Sequence, residues 1–243
     1  MAIFTLTDGR CFIEGYDLSS HVNSMNLNLT SEELDTTSIN SGGYRSKVGG
    51  LKDCQFTAEG YFEAGSNKPD ALLGVSSGSE HIISLMADNG TGNASYFFKA
   101  RQFDYGMFGA VGDLTPFSLS ASQSADQPIR GTQMLDSDTT LTATGNGTAQ
   151  NLGAVTSAQS VYAAMHVFSV AGTSTPTVTF KIQSDSSSGF SSPTDRITFT
   201  AATAIGSQYK STAGAITDTH WRVNYTITGT SPIFGVAVSV GIA

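Results

Sequence analysis

Cysteine occurs only twice in 243 residues, at Cys11 and Cys54, which excludes a disulfide framework. Cys54 falls on the apolar side of an alternating stretch, where a buried free thiol belongs. Positive charge is also scarce. Lys and Arg number 12 against 20 Asp and Glu, a net charge of −8. That balance argues against gripping nucleic acid by neutralising phosphates, although nucleic acid could still pass without being held. No window approaches the roughly 18 apolar residues of a membrane helix. The opening MAIFTLTDGR lacks the basic-then-apolar run of a secretion signal. A soluble product of a reducing cytoplasm, with no membrane partner, is expected. Charged residues of both signs make up only 13%, while Gly, Ser and Thr abound, a composition suited to strands and turns.

The sparse charge is unevenly placed. Residues 1–138 hold 17 acidic and 8 basic side chains, a balance of −9, whereas residues 139–243 hold 3 and 4, a balance of +1. Two modules with different surroundings are expected, 1–129 and 130–243, with the boundary inside the polar stretch Ser124–Thr140. Strand-like segments of the first are Cys11–Tyr16, His21–Thr30, Lys52–Glu63, His81–Ala87, Ala94–Phe103 and Leu114–Ser122. A two-turn helix is expected over SNKPDALL, residues 66–73, where Pro69 sits early and Asp70 lies in the first turn. In the second module Val161–Val170, Thr177–Gln183, Arg196–Thr200, His220–Thr228 and Phe234–Ile242 alternate. The fold class is therefore all-β with one short helix, and the second module reads as an antiparallel β-sandwich.

The most organised stretch runs from Val22 to Gly65. Met25, Leu27 and Leu29 share one face of a first strand, and Cys54, Phe56, Ala58 and Gly60 one face of a second. Asp53, Gln55, Thr57, Glu59, Tyr61 and Glu63 oppose them, the pattern of strands with one dry and one wet side. Between the strands lies SEELDTTSINSGGYRSKVGGL, Ser31 to Leu51. A structureless excursion of that length exceeds the roughly 12–15 residues usual in compact domains and points to a functional loop.

Catalytic and metal readings find little support. Gly74-Val75-Ser76-Ser77-Gly78 fits the G-x-S-x-G nucleophile elbow, but that motif needs a strand before Ser76 and a helix after it, the reverse of the order here. His21, His81, His166 and His220 lack ligand spacing; His166 is placed inside the second sandwich and His220 at a strand start. Asp136-Ser137-Asp138 and Asp185-Ser186-Ser187-Ser188-Gly189 lack a full calcium-loop pattern, and Glu32, Glu33 and Asp35 sit together in one polar segment rather than across a substrate. No catalytic, cofactor-binding or metal residue is assigned, and no cofactor is expected.

Gly15-Tyr16-Asp17-Leu18-Ser19-Ser20-His21-Val22-Asn23-Ser24 resembles a segment of the tail tube proteins of long-tailed, siphovirus-like bacteriophages. Glu32-Glu33-Leu34-Asp35-Thr36-Thr37, Gly50-Leu51, Glu59-Gly60-Tyr61-Phe62, Val111-Gly112-Asp113-Leu114 and Phe117-Ser118-Leu119-Ser120 follow in the same order, so the resemblance spans residues 3–129. In the second module, Ser160–Val167, Ser192–Phe199 and Thr228–Pro232 resemble Ig-like or jelly-roll domains appended to tail proteins.

The resemblance implies a tail-tube β-sandwich or barrel, subunits in hexameric rings that stack into a tube, and double-stranded DNA leaving through the lumen without specific binding. Implied partners are further copies of the chain, the tape measure, the tail terminator and the distal tail protein. The implied location is the virion tail, assembled in the host cytoplasm. On that reading Tyr44, Arg45, Lys47 and Val48 are the inter-subunit loop contacts, because aromatic and Arg side chains anchor interfaces. Asp53, Glu59 and Glu63 are the lumen-facing candidates. The alternative is a tail-associated carbohydrate-binding adhesin, which an exposed Trp221 would favour.

Overall fold

The chain is all-β, with a single five-residue helix among the described residues. The computed structural model describes residues 6–65, 68–74, 78–124 and 127–243. The N-terminal part contains β1 (Arg10–Ile13), β2 (Tyr16–Asp17), β3 (Val22–Asp35), β4 (Lys47–Tyr61), α1 (Pro69–Leu73), β5 (Glu80–Met86), β6 (Ala94–Met107) and β7 (Pro116–Gln123). β4 lies between β3 and β7, and β7 pairs with the second half of β6. The first half of β6 pairs with β5, and β5 with β1, so β6 passes from one layer into the other. Phe56, Ala58, Leu119 and Ala121 from one layer meet Cys11, Ile13, Ile83 and Leu85 from the other in a single apolar core. Leu18 is fully buried there, and its carbonyl accepts from the N–H groups of His21 and Val22, which turns the chain into β3.

The C-terminal part contains β8 (Ile129–Leu135), β9 (Thr140–Leu141), β10 (Gly145–Asn146), β11 (Gln150–Asn151), β12 (Ser160–Asp185), β13 (Thr194–Thr198), β14 (Gly206–Ala213) and β15 (His220–Ile242). The segments expected at 161–170 and 177–183 are one strand, β12, and those at 220–228 and 234–242 are one strand, β15. The two pair from Val161↔Ile242 to Asp185↔His220, with register slips around Val167–Ser169 and Ala171–Thr177. Gly172, Ser174, Thr175, Gly229 and Ser231 take positive φ at those slips, so the ribbon turns a corner and folds back on itself. The odd-numbered Val161, Ala163, Met165 and Val167 then pack in one core with Phe180, Trp221, Val223, Phe234 and Val238.

The polar stretch Ser124–Thr140, expected as a joint, contains β8. This strand pairs with β6 through Phe97↔Ile129 and Ala94↔Thr132, and with β15 through Val240↔Thr132 and Ser239↔Gln133. It stitches the sheets of both halves into one. Its polar residues are used inside: fully buried Gln133 donates to Asn89 Oδ1 at 2.7 Å and accepts from the Gly90 N–H at 3.0 Å. Gly131 is required by close approach, since a Cβ there would lie 2.4 Å from the Val240 carbonyl oxygen and 2.7 Å from the Phe97 ring. Gly131→Ala should prise β8 from β15 and cost about 1–3 kcal/mol, read as a lower thermal midpoint; an unchanged midpoint would remove β8 from this role.

His166 corrects another expectation. It is buried, but it points away from the C-terminal core, towards the seam with the first half. Phe12, Met86 and Ala237 form a small cluster at this seam, and the Phe12 ring lies 5.7 Å from the imidazole. The two-residue turn between β1 and β2, Glu14 and Gly15, both at positive φ, plugs into the same place. The Gly15 N–H donates to His166 Nδ1 at 3.3 Å, and Ser207 Oγ donates to Glu14 Oε2 at 2.7 Å.

Candidate assembly surfaces

Nearly half of the excursion Ser31–Leu51 is strand rather than loop. The β3–β4 ladder continues through Ser31↔Lys52, Glu33↔Gly49, Leu34↔Val48 and Asp35↔Lys47, with a bulge between Ser31 and Glu33. Only residues 36–46 form the connection, closed by a Thr36 N–H to Ser46 carbonyl bond of 2.8 Å and a Ser46 N–H to Thr37 Oγ1 bond of 2.9 Å. Asp35 accepts from the Thr37 side chain and from its N–H at 2.8 Å, which holds the carboxyl below its usual range. Lys47 is ion-paired with Glu33. Tyr44 and Arg45 therefore sit near the tip, whereas Lys47 and Val48 belong to β4. Six residues of β3 lie beyond the last core pair, Leu29↔Cys54, so the arm projects about 20 Å at roughly 3.3 Å per residue.

Along β4 the even-numbered residues face the core, with Cys54, Phe56 and Ala58 buried. The bulge, however, adds one residue to β4 (Ser31↔Lys52, then Glu33↔Gly49), so beyond it Val48 and its cross-strand partner Leu34 lie on the opposite side, that of Thr30 and Glu32. Among the described residues no layer covers this part of the hairpin on either side. Leu29, Leu34 and Val48 are 55%, 42% and 51% exposed, and Ile39 and Tyr44 at the tip are fully open. The hairpin thus exposes apolar side chains on both faces, Leu29 on the core side and Leu34 with Val48 on the other. Sequence reasoning selected Tyr44 and Val48 but missed Leu29, Leu34 and Ile39; the bulge shifts the β4 alternation by one residue between Lys52 and Gly49, so extending it backwards from Cys54 puts Val48 on the wrong side.

The opposite face of β3, β4, β7 and β6 is wet. Asn26, Asn28 and Thr30 face solvent beside Asp53, Gln55 and Glu59, with Ser118 and Ser122 opposite and Asp104 further along. Arg101, also on this side, has its guanidinium committed to the Gly78 carbonyl at 3.1 Å. Asp53 and Glu59 thus share one exposed acidic surface. Glu63 lies two residues past the end of β4, where Lys68 Nζ at 2.7 Å and His21 Nε2 engage it and hold its carboxyl below the usual range.

Other candidates are bound up in structure. Asp185 accepts from the Ser187 and Ser192 N–H groups at 3.0 and 2.9 Å, and Asp136 accepts from the Asp138 N–H at 2.9 Å, so both Asp-rich segments are stapled turns. Among the described residues no three His, Cys, Asp or Glu side chains converge as a metal site would require. Ser76 lies outside the described residues. Cys11 and Cys54 are free and buried, and burial pushes the Cys54 thiol up to about 11 and Cys11 higher still. Trp221 is fully buried and donates through Nε1 to the Gly153 carbonyl at 2.9 Å, so it offers no stacking platform to a sugar.

No family model matches this chain, and no curated protein does. Solved structures do show likeness. A chain from the virion of a native gene transfer agent particle is 16% identical at a TM-score of 0.40, over 49% of this chain and 94% of that one. A chain from the six-fold symmetrised baseplate of the anti-feeding prophage is 10% identical at 0.39, over 53% and 97%. The SPP1 Dit protein, described as a paradigm of the hub adsorption apparatus in phages infecting Gram-positive bacteria, is 9% identical at 0.36, over 97% and 99%. All three TM-scores lie below 0.5.

Proposed function

We propose that this chain is a non-enzymatic structural subunit of the tail of a long-tailed bacteriophage, the repeating unit of its tube. Residues 1–129 form the tube module and residues 130–243 an outward decoration. The carrying observation is the β3–β4 arm, which projects past the core with Leu29, Leu34 and Val48 exposed, apolar side chains that no layer among the described residues covers and that call for cover by another copy. Copies join into rings, hexameric in the family that the sequence resembles, and rings stack with the wet acidic face of β3, β4, β7 and β6 towards the lumen. Tape measure, terminator and distal tail proteins complete the partners. Electron microscopy of concentrated purified chain should show rings or tubes; a monomer at every concentration, alone and with tail initiator proteins added, rejects the reading.

Double-stranded DNA is the traffic, not a ligand. Asp53 and Glu59 repel phosphate and keep contacts few along the wall. Asp53→Lys with Glu59→Lys should slow DNA ejection from virions carrying it by about tenfold at low salt, with recovery as salt rises. Unchanged, salt-insensitive ejection would take these residues out of the lumen.

A further inference from the structure

The two sandwiches close their mouths differently. In the C-terminal one, the edge strands β13 and β14 each pair with β12, and side chains of β14 bridge the gap between them. Thr212 Oγ1 donates to the Arg196 carbonyl, Lys210 Nζ donates to that of Thr198, and the Gln208 amide exchanges two bonds with the Thr200 backbone, all at 2.8 Å. The mouth of the N-terminal sandwich, between β3 and the end of β5, is apolar instead. Met25, Leu27, Leu29, Leu85, Met86 and Tyr96 line a groove there with about 790 Å³ of open space. Among the described residues β3 pairs with β4 alone, so one edge of its backbone runs unpaired beside this groove.

Leu6, half exposed, stands at one end of the groove. Its Cδ1 and Met25 Cε converge over Gly9, 2.8 and 3.0 Å from where a Cβ would stand. Just after Leu6 the chain is pinned by the Asp8↔Asp88 bridge and by the Asn89 N–H, which donates to the Asp8 carbonyl at 3.1 Å. Residues 1–5, MAIFT, lie outside the described residues and carry no charged side chain. In an extended chain Ala2 and Phe4 fall on the same side as Leu6, because successive side chains alternate. Ala2 to Leu6 spans as many positions as Met25 to Leu29. An antiparallel run along β3 therefore sets Leu6 beside Met25, Phe4 beside Leu27 and Ala2 beside Leu29. The other cavity that Leu6 borders leads past Cys11 to Ser19, Asn23 and Ser24, a polar lining that suits this segment less.

We propose that residues 1–5 are a strap that seats antiparallel on the free edge of β3, with Phe4 in the groove against Leu27, and keeps that edge closed in the free subunit. The seating stands on the groove, while its consequence for assembly rests on the tube reading. An open strand edge beside apolar side chains is a template for any other strand. A neighbouring copy has to displace the strap to reach it, which holds back polymerisation of dilute subunits.

The double variant Phe4→Cys, Leu27→Cys, oxidised at a concentration where no polymer forms, tests the seating against native thiols that are buried. A disulfide within one chain is expected, seen as a faster single-chain band on a non-reducing gel. Linked dimers send the segment to another copy and overturn the strap, as does a folded variant that fails to oxidise. Phe4→Asp gives a reading that survives misfolding of the cysteine pair: amide exchange at residues 25–29 should quicken about tenfold or more while β12 exchanges as in the parent. Unchanged exchange overturns the seating. Phe4→Asp should also lower the concentration needed to polymerise about tenfold, and Phe4→Leu should leave it as in the parent. An unchanged threshold in Phe4→Asp overturns the closing role. If the disulfide forms but neither the parent nor Phe4→Asp ever polymerises, the seating stands and the tube reading falls.

Discussion

Replacing Leu34 and Val48 together with threonine is expected to leave a folded chain that no longer polymerises at concentrations where the parent does. Both side chains are about half exposed, on the part of the hairpin that no other layer among the described residues touches. Threonine keeps the β-branched preference for strand, and a Thr–Thr pair is compatible with adjacent antiparallel positions. The isolated subunit should therefore unfold within about 2 °C of the parent, as expected of surface changes within about ±0.5 kcal/mol. Cover by another copy is where the change is felt. Burial of a Leu or Val side chain contributes about 1.5–3 kcal/mol. Loss of most of that at both positions weakens each contact by about 3 kcal/mol, close to two orders of magnitude in dissociation constant. Pelleting of polymer against concentration reads this directly as a rise of about a hundredfold in the concentration needed to assemble. An unchanged threshold would sink the assembly role of the arm; a lost fold would show first in the unfolding curve.

The same pair shows where sequence patterning carries and where it stops. Alternation around Cys54, Phe56 and Ala58 was readable because half of β4 rests on a core and half on water, which forces a period of two into the residues. Beyond Cys54 the core ends, and the pressure on residue type ends with it. Strand then continues through SEELD and KVGG only because the ladder set by the inner residues propagates outwards, hydrogen bond by hydrogen bond. Nothing in the composition of that stretch demands it. β8 was hidden for another reason. Ile-Arg-Gly-Thr-Gln-Met-Leu has strand neighbours on both sides, and its polar members are satisfied by Asn89 and Gly90, residues some 40 positions away. The corner of β12 and β15 carries Gly, Ser, Thr and Pro at 172–176 and 229–232, which spells a turn locally. The positive φ values are there, but pairing resumes across them, so the signals bend a strand rather than end it. The acidic face was legible at Asp53 and Glu59, while Glu63 was not separable from them, because its ion pair with Lys68 depends on the chain leaving the sheet after Tyr61.

Acid should loosen the seam between the two halves through His166. The Gly15 N–H points at Nδ1, so Nδ1 is the unprotonated, accepting nitrogen and Nε2 carries the hydrogen, donated to Ser84 Oγ at 2.8 Å. A second proton would set N–H against N–H in a closed apolar pocket, beside Phe12. Burial accordingly pushes the imidazole down to about 3, from 6.5 for the free side chain. The sign follows. Below pH 6.5 the unfolded chain binds a proton that the folded chain refuses, so this contribution is fully present above pH 6.5 and is lost as pH falls towards 3. The slope is about 1.4 kcal/mol per pH unit, which amounts to about 3 kcal/mol by pH 4.5. At about 2–4 °C per kcal/mol for a chain of this size, the thermal midpoint should fall about 5–10 °C between pH 7 and 4.5 on account of His166 alone. Acidic side chains held below their usual range, Glu63, Asp195 and Asp218 among them, add their own losses at lower pH, so the informative quantity is a difference. His166→Gln offers an oxygen to Gly15 and an amide hydrogen to Ser84 without a titrating group. Its midpoint should start below the parent at pH 7 and decline less steeply between pH 6.5 and 4.5, so that the gap between the two narrows by about 2–3 kcal/mol. Parallel curves would place the titration elsewhere. Because the partners of His166 are Gly15 and Ser84, from the first half, the transition it controls is separation of the seam, and exposure of Phe12 and Phe168 should accompany the loss.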